Sequence, residues 1–550
     1  MNVKSIIDDN YNTASNGSVS TCSCQINAGK NVVIAANQYF DIEDNFTNAG
    51  TITVENNGSL VQHNDAAVNS GAISMKRNAN IRKSDYVYWS SPVAGFASTA
   101  ISPLTATSLI YKWNPTLANA NLGEGTWVAG NETMVPGKGY IVRGPSTFNN
   151  TAPQVFTATF TGTPYNGIVQ PSIARGTNLN AGSAGPNGVM RTTKDDNWNL
   201  IGNPYPCSID AIAFLTANTN IEGSIRLWTH GTLPSAAIVD PFYGNYVYNY
   251  TTNDYITYNI SGVSSGPSAF NGYIASGQSF FVVMNDGLAD ATQTVTFNNS
   301  LRSSTYNNAY FYRNNSMLQN QEVIEKSRIW LDLIDANTTT TRTLIAYVDG
   351  ATLEKDRLYD AYTKIGASQS IYSLINEEIV AIQGRPLPFS TEDSVPLGVN
   401  LTASTAYTIA IGAVDGLFEN ESQAIYLEDK TVGVIHNLRQ APYSFTAAPG
   451  RLDTRFVLRY TTTSTLDNLD FETNNATVAV VSNKGQISVK STVENIQSVV
   501  IYDIVGREVF NGKNINATDF SITDVVLNQQ ALIVKVLLEN GQTVTKKIVF

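Results

Sequence analysis

The sequence predicts an all-β protein built from a short parallel β-solenoid segment, two β-sandwich regions and a C-terminal immunoglobulin-like domain. Three observations carry that expectation. Apolar stretches are short, alternate or run unbroken for a few residues, and are punctuated by Asn, Gly and Pro, as strands and turns require. Charged residues make up 14% of the chain, against an average of roughly 25%, and uncharged polar residues take their place, which suits strands facing an outside medium. Apolar residues reach 42% and aromatic residues 10%, enough to bury real cores and to exclude a disordered chain. At 550 residues the chain exceeds one core, and a size of about 100–200 residues per domain predicts about three to five units.

Residues 1–23 read as a flexible N-terminal segment. Between 24 and 82, the runs Val32-Val-Ile34, Phe40-Asp-Ile42, Gly50-Thr-Ile-Thr-Val54, Gly58-Ser-Leu-Val-Gln62 and Gly71-Ala-Ile-Ser-Met75 are very short, with Asn or Gly between most of them. That pattern predicts a few rungs of a parallel solenoid rather than a meander of hairpins. So few rungs, with no line of acidic side chains, exclude a β-helical polysaccharide lyase.

Residues 83–313 read as an aromatic-rich β-sandwich region with an internal duplication. Trp89-Ser-Ser-Pro92 and Asn199-Leu-Ile-Gly-Asn-Pro204 are each a strand running into a turn. Each is followed later by a glycine-marked strand, Gly137-Lys-Gly-Tyr140 in one case and Ser276-Gly-Gln-Ser-Phe-Phe281 in the other. Ser208-Ile-Asp-Ala-Ile-Ala-Phe-Leu-Thr216 is the most helix-like stretch of the chain. Residues 314–325 read as a connector, 326–460 as a second β-sandwich and 461–475 as a polar linker. In 476–550, Val478-Ala-Val-Val481 and Gln486-Ile-Ser-Val-Lys490 flank a turn at Asn483-Lys-Gly485, Val499-Val-Ile-Tyr-Asp503 forms a third strand, and Glu539-Asn-Gly541 marks a terminal hairpin.

The order Tyr502-Asp-x-x-Gly-Arg-x-Val509, then Leu532-Ile-Val-Lys-Val536, then Asn540-Gly followed by Lys546-Lys-Ile-Val-Phe550 resembles the C-terminal sorting domain of the type IX secretion system of Bacteroidota. Gln529-Gln-Ala-Leu532 stands where the commoner form has Gly-x-Tyr, which is similar to the variant called type C. The phrases of residues 24–313 resemble a region found upstream of that domain in large flavobacterial surface proteins. The resemblance implies a secreted or cell-surface, adhesin-like protein carried through the periplasm. Its partners would be the outer-membrane translocon and shuttle barrel proteins. The sorting-signal residues would be Tyr502, Asp503, Gly506, Arg507, Gly541, Lys546, Lys547, Ile548, Val549 and Phe550. That route needs a signal peptide, and Met1–Asn10 has no apolar core of that kind, so the chain is expected to be part of a longer precursor.

Charge agrees with an acidic passenger and a near-neutral module. The net charge is −11 and the pI near 4.9, which argues against nucleic acid or an anionic membrane as partner. No apolar run is long enough to span a bilayer as a helix. Only three cysteines occur, Cys22, Cys24 and Cys207. Cys22 and Cys24 are too close for an unstrained disulfide; either one of them is expected to bridge a cysteine in a missing upstream domain or both are inert thiols.

The chemistry-bearing residues are sparse, and no enzymatic activity is expected. His63, His230 and His436 are scattered, and no nucleophile elbow, phosphate loop or zinc-protease motif occurs. Asp195-Asp196 and Glu377-Glu378 are adjacent, so on a strand each pair points to opposite faces, wrong for paired acid and base. Ca2+ is the one metal for which ligands are offered, at Asp349, Asp356 and Asp360. Trp89, Trp113, Trp127, Trp198 and Trp228 offer either core filling or a face for stacking sugar rings. The alternatives to a display protein are therefore an extracellular glycan-binding module, or accessory domains of a larger secreted enzyme.

Overall fold

The computed structural model describes residues 3–186, 188–236, 238, 250, 254–266, 270–309, 325–366, 368–462, 478–483, 486–492, 494–503, 506–523, 531–541 and 543–549. Most of the connector, most of the linker, the turn at 484–485 and the terminal Phe550 lie outside the described residues. The chain is all-β and divides into two compact units, Met1–Tyr460 and Thr461–Phe550.

The first unit opens with a three-sided parallel solenoid. Lys4 pairs with Ser23, Tyr11 with Val32 and Val19 with Phe40, all in parallel register, so each turn returns after roughly 20 residues. Segment 1–23 is thus not a flexible lead-in but the first rung. Its strands, Lys4–Ile7, Tyr11–Asn12 and Val19–Thr21, are too short and polar to be recognised alone and are fixed by pairing with the second rung. Ile26, Val32, Ile34, Phe40 and Ile42 of the second rung, and Ile52, Val54 and Leu60 of the third, point inward and are fully or almost fully buried. Asn37 and Asn57 take up left-handed corners on successive rungs, and the Asn37 N–H donates to the Asn57 carbonyl at 3.2 Å. The strand Ile73–Ile81 continues the last rung and pairs antiparallel with Gln154–Gly162, which covers the solenoid edge.

The duplication is visible as two sheets with one strand order. In the first, Tyr86–Trp89, Tyr140–Arg143, Ile110–Ala118 and Glu124–Ala129 lie side by side. In the second the order is Trp198–Gly202, Ser279–Val283, Ile225–Trp228 and Tyr255–Asn259, extended by Gly262–Val263. The halves exchange equivalent bonds. The Ser90 N–H donates to the Gly277 carbonyl at 2.8 Å, and the Gly202 N–H to the Gly137 carbonyl at 2.9 Å. Isolated bridges repeat the symmetry, Trp89 with Gln278 and Ile201 with Lys138. The Ala211–Ala217 helix packs on the far side of the second sheet. Asp210 caps it, accepting from the N–H groups of Ile212 and Ala213 at 2.8 and 2.9 Å.

Residues 326–460 form one eleven-stranded sheet that folds over on itself around its own core. On Lys326–Asp335, Ile329, Leu331 and Leu333 point into that core. Trp330 belongs to a separate cluster on the other face, and its indole N–H donates to the Val263 carbonyl at 2.8 Å. The sheet's far strands meet: the Tyr443 hydroxyl donates to Asp429 at 2.8 Å, and the Phe445 and Phe456 rings lie 4.8 Å apart.

The second unit is a two-sheet antiparallel sandwich. Val478–Asn483, Gln486–Ser491 and Asp519–Ile522 make one sheet; Glu508–Ala517, Ile496–Asp503, Ala531–Leu538 and Thr543–Val549 make the other. Ile487, Val489, Val499, Ile501, Val534 and Val536 fill the space between them.

Candidate functional site

The residues singled out near the C-terminus fall on two turns and one strand. Asp503 ends its strand and is almost fully buried. Its carboxylate accepts from the Arg507 backbone N–H at 2.9 Å and from the Arg507 guanidinium at 3.1 Å, while its own N–H donates to the Arg507 carbonyl at 3.0 Å. Gly506 sits inside that loop at φ +80° and donates to the Asp503 carbonyl at 3.0 Å. Asp503 and Arg507 therefore clamp a tight turn, with the Arg507 side chain 72% exposed. Tyr502 is half-buried and registered between Glu508 and Ile533.

Gly541, at φ +85°, closes the last hairpin and donates to the Leu538 carbonyl at 3.0 Å. The terminal strand Thr543–Val549 pairs with Ala531–Leu538 on one side and is last in its sheet among the described residues. Lys546 is registered opposite the buried Val534, and Lys547 opposite Ile533, which is 40% exposed. The two lysines thus occupy opposite-face register positions. Ile548 and Val549 stand opposite Leu532 and Ala531.

The proposed Ca2+ ligands do not converge. Asp349 is exposed, and the Asp356 carboxylate accepts from the Thr352 N–H. Asp360, 1% exposed, accepts from the N–H groups of Asp356 at 2.6 Å and Gly384 at 2.8 Å, so both of its oxygens are spent on backbone. Burial pushes the Asp360 carboxyl up to about 7, although those two hydrogen bonds act the other way. Among the described residues no group of three or more His, Cys, Asp or Glu side chains could hold a metal. The histidines stay apart as well: His63 bonds to Asp41, His230 faces the Asn80 carbonyl and His436 the Ala441 carbonyl.

The five tryptophans pack on one another and on neighbouring rings instead of lining an open row. Trp89 and Trp228 are buried, and Trp113, Trp127 and Trp198 are half-buried. Phe281 is the hub, with the rings of Tyr88, Trp113, Trp127, Trp198 and Tyr255 at 5.4 to 6.1 Å. Tyr88 and Trp228 stack at 5.7 Å. Composition flagged these rings; only the register of the two sheets shows that they meet.

Together these features define a modular all-β chain whose C-terminal sandwich is compact in its own right. The chain belongs to the family described as a domain of unknown function, DUF8693, whose profile matches residues 2–460, and a second domain of unknown function, DUF8694, matches residues 466–550. No curated protein matches the sequence. Among solved structures, the central fibronectin-III array of RIM-binding protein aligns at 11% identity over 66% of this chain and 94% of that one. Its TM-score of 0.11 carries no argument about the fold. No helix among the described residues is long and apolar enough to cross a membrane.

Proposed function

We propose that the protein is a non-catalytic, adhesin-like surface protein whose last 75 residues address it to the type IX secretion system. The observation that supports this most directly is the terminal strand. Thr543–Val549 carries the adjacent lysines on the strand that is last in its sheet among the described residues, at the end of a compact sandwich in which Asp503 and Arg507 are clamped together. An edge strand offers its backbone to a further strand, which is the contact we propose for the translocon partner. The acidic, aromatic-packed first unit would be the passenger displayed outside the cell after passage through the periplasm.

The test is made in a cell with a working translocon. Deletion of residues 476–550 is expected to leave the passenger folded and protease-protected in the periplasm; surface display that persists without the module overturns the proposal. Removal of Lys546–Phe550 should abolish capture of the barrel protein in a pull-down. Retained capture would shift recognition to Tyr502–Val509.

A further inference from the structure

A lysine and an aspartate meet where residues 83–313 pack against residues 326–460. Asp195 lies in the turn before the strand Trp198–Gly202, and Lys364 in the loop that follows Ala361–Tyr362. Lys364 Nζ stands 2.6 Å from Asp195 Oδ1, and the two side chains are only 13% and 7% exposed. The lysine pairs at Glu55, Glu132, Glu222 and Glu378 are all more open to solvent. The two loops are also held together beside the pair. Lys194 reaches Glu378 at 2.6 Å and lies over the Tyr362 ring, and the Thr192 and Tyr362 hydroxyls meet at 3.3 Å.

Three features set this contact apart from an ordinary ion pair. The Asp195 carboxyl is fixed: Oδ2 accepts from the Thr192 N–H at 2.9 Å, and Oδ1 from the Thr192 hydroxyl at 3.2 Å. Its Cγ is therefore held no more than about 3.8 Å from Lys364 Nζ, close to the separation of about 3–3.5 Å from which bonds form. Burial pushes the Lys364 ammonium down to about 8, against the pull of the Asp195 charge and with the help of Arg191. The neutral, nucleophilic amine is thus within reach near neutral pH. Finally, a small cavity opens on the pair, lined by Asp195 and Lys364 and also by Glu124 and Arg191. It has room for about one water molecule.

We propose that Lys364 and Asp195 condense to an intramolecular amide, a covalent staple between the two regions. A proton passes from the ammonium to Asp195 Oδ1, and the freed Nζ lone pair attacks Cγ. Charge develops on Oδ2, which the Thr192 N–H holds. A second proton leaves the nitrogen for Oδ1, the bond from Cγ to Oδ1 breaks, and water departs into the cavity. Glu124, on the cavity wall, relays that second proton. The hydrogens of the ammonium become those of the amide N–H and of the water, so no oxidant, cofactor or further reactant is consumed.

The experiment weighs the full chain by mass spectrometry after it has folded and then been denatured. The mass is expected to fall about 18 Da below that of the sequence, the loss of one water. Protease digestion should release a branched peptide that joins the Asp195 segment to the Lys364 segment. Lys364→Arg keeps a cation against Asp195 but offers no amine. It should return the full mass and lower the unfolding midpoint by about 5 °C or more. Glu124→Gln should be recovered largely uncoupled; complete coupling in that variant overturns the relay. Should either variant fail to fold, the mass and the branched peptide of the wild type still decide the matter. A wild type of full mass, whose Lys364 takes up an amine reagent once unfolded, overturns the proposal. So does a loss of water that persists in Lys364→Arg, because a succinimide at an aspartate gives the same mass. None of these outcomes bears on surface export.

Discussion

The two duplicated halves share a strand order and a set of reciprocal backbone bonds, yet they bury their sheets differently. Tyr88 stands opposite Ile141 in the first half, and Leu200 stands opposite Phe281 in the second. The first half reads Tyr140-Ile-Val-Arg143 on its central strand and ends in a hairpin, Ile110–Ala118 and Glu124–Ala129, whose strands are mostly half-buried or exposed. The second reads Ser279-Phe-Phe-Val-Val283, every residue buried. There Phe281 packs toward the first half, while Phe280 and Val282 pack toward the helical layer with Phe214. An unbroken apolar strand thus marks the middle layer of three, and a strand that ends in Arg marks an outer one. Symmetry fixes where the halves touch; burial decides how much each contact is worth.

The largest effect that sharpens this comparison is expected at the hub. Phe281→Ala removes a ring held by five aromatic neighbours and should cost about 3–5 kcal/mol, while the equivalent Ile141→Ala should cost about 2–4 kcal/mol. Denaturant unfolding of the two variants in parallel checks it. Equal or reversed losses would mean that the layers do not differ in the way described. The same hub predicts little free tryptophan surface for sugar stacking.

The next effect lies where the halves come closest. Ser90 and Gly202 hold equivalent positions after Trp89 and Ile201, and a Cβ on Gly202 would lie 2.4 Å from the Ser90 Cβ. Gly202→Ala should therefore cost about 1–3 kcal/mol through overpacking. Adding Ser90→Gly should recover much of that loss, a coupling that a double-mutant cycle reads directly. Additive costs would show that the two positions do not touch in solution.

How much of this was legible in the sequence follows from what each signal encodes. The solenoid was readable because short strands with Asn corners repeat locally, and the duplication because Trp89-Ser-Ser-Pro92 and Ile201-Gly-Asn-Pro204 each precede a glycine-marked strand. The first rung was not, because Lys4–Ile7 gains its strand character only from Ser23–Ile26 beside it. The single folded-over sheet of 326–460 was equally hidden, since strands counted along a chain do not say where a sheet bends. For the sites, the Asp503–Arg507 turn could be placed from Gly506 alone. The acidic loop at Asp349, Asp356 and Asp360 misled because composition counts carboxylates and not the backbone N–H groups that claim them. Asp196 is the converse: the sequence paired it with its neighbour Asp195, whereas packing brings it to Glu124, far away along the chain.

The smallest effect is expected at Ser90 itself, and it isolates symmetry from side-chain chemistry. The Ser90 hydroxyl is buried and has no hydrogen-bond partner among the described residues, whereas its N–H makes the cross-half bond to Gly277. A buried hydroxyl without a partner contributes nothing to the folded state and loses its hydration. Ser90→Ala keeps the Cβ and the backbone bond, so its stability should stay within about 0.5 kcal/mol of wild type or rise slightly. Amide exchange at positions 90 and 202 should remain equally slow, because the Gly277 and Gly137 carbonyls that accept those protons are untouched. A loss of more than about 1 kcal/mol would give the hydroxyl a role that the packing does not provide for. Faster exchange at position 90 than at 202 would break the equivalence of the two cross-half bonds, and with it the view that the halves were built on one pattern.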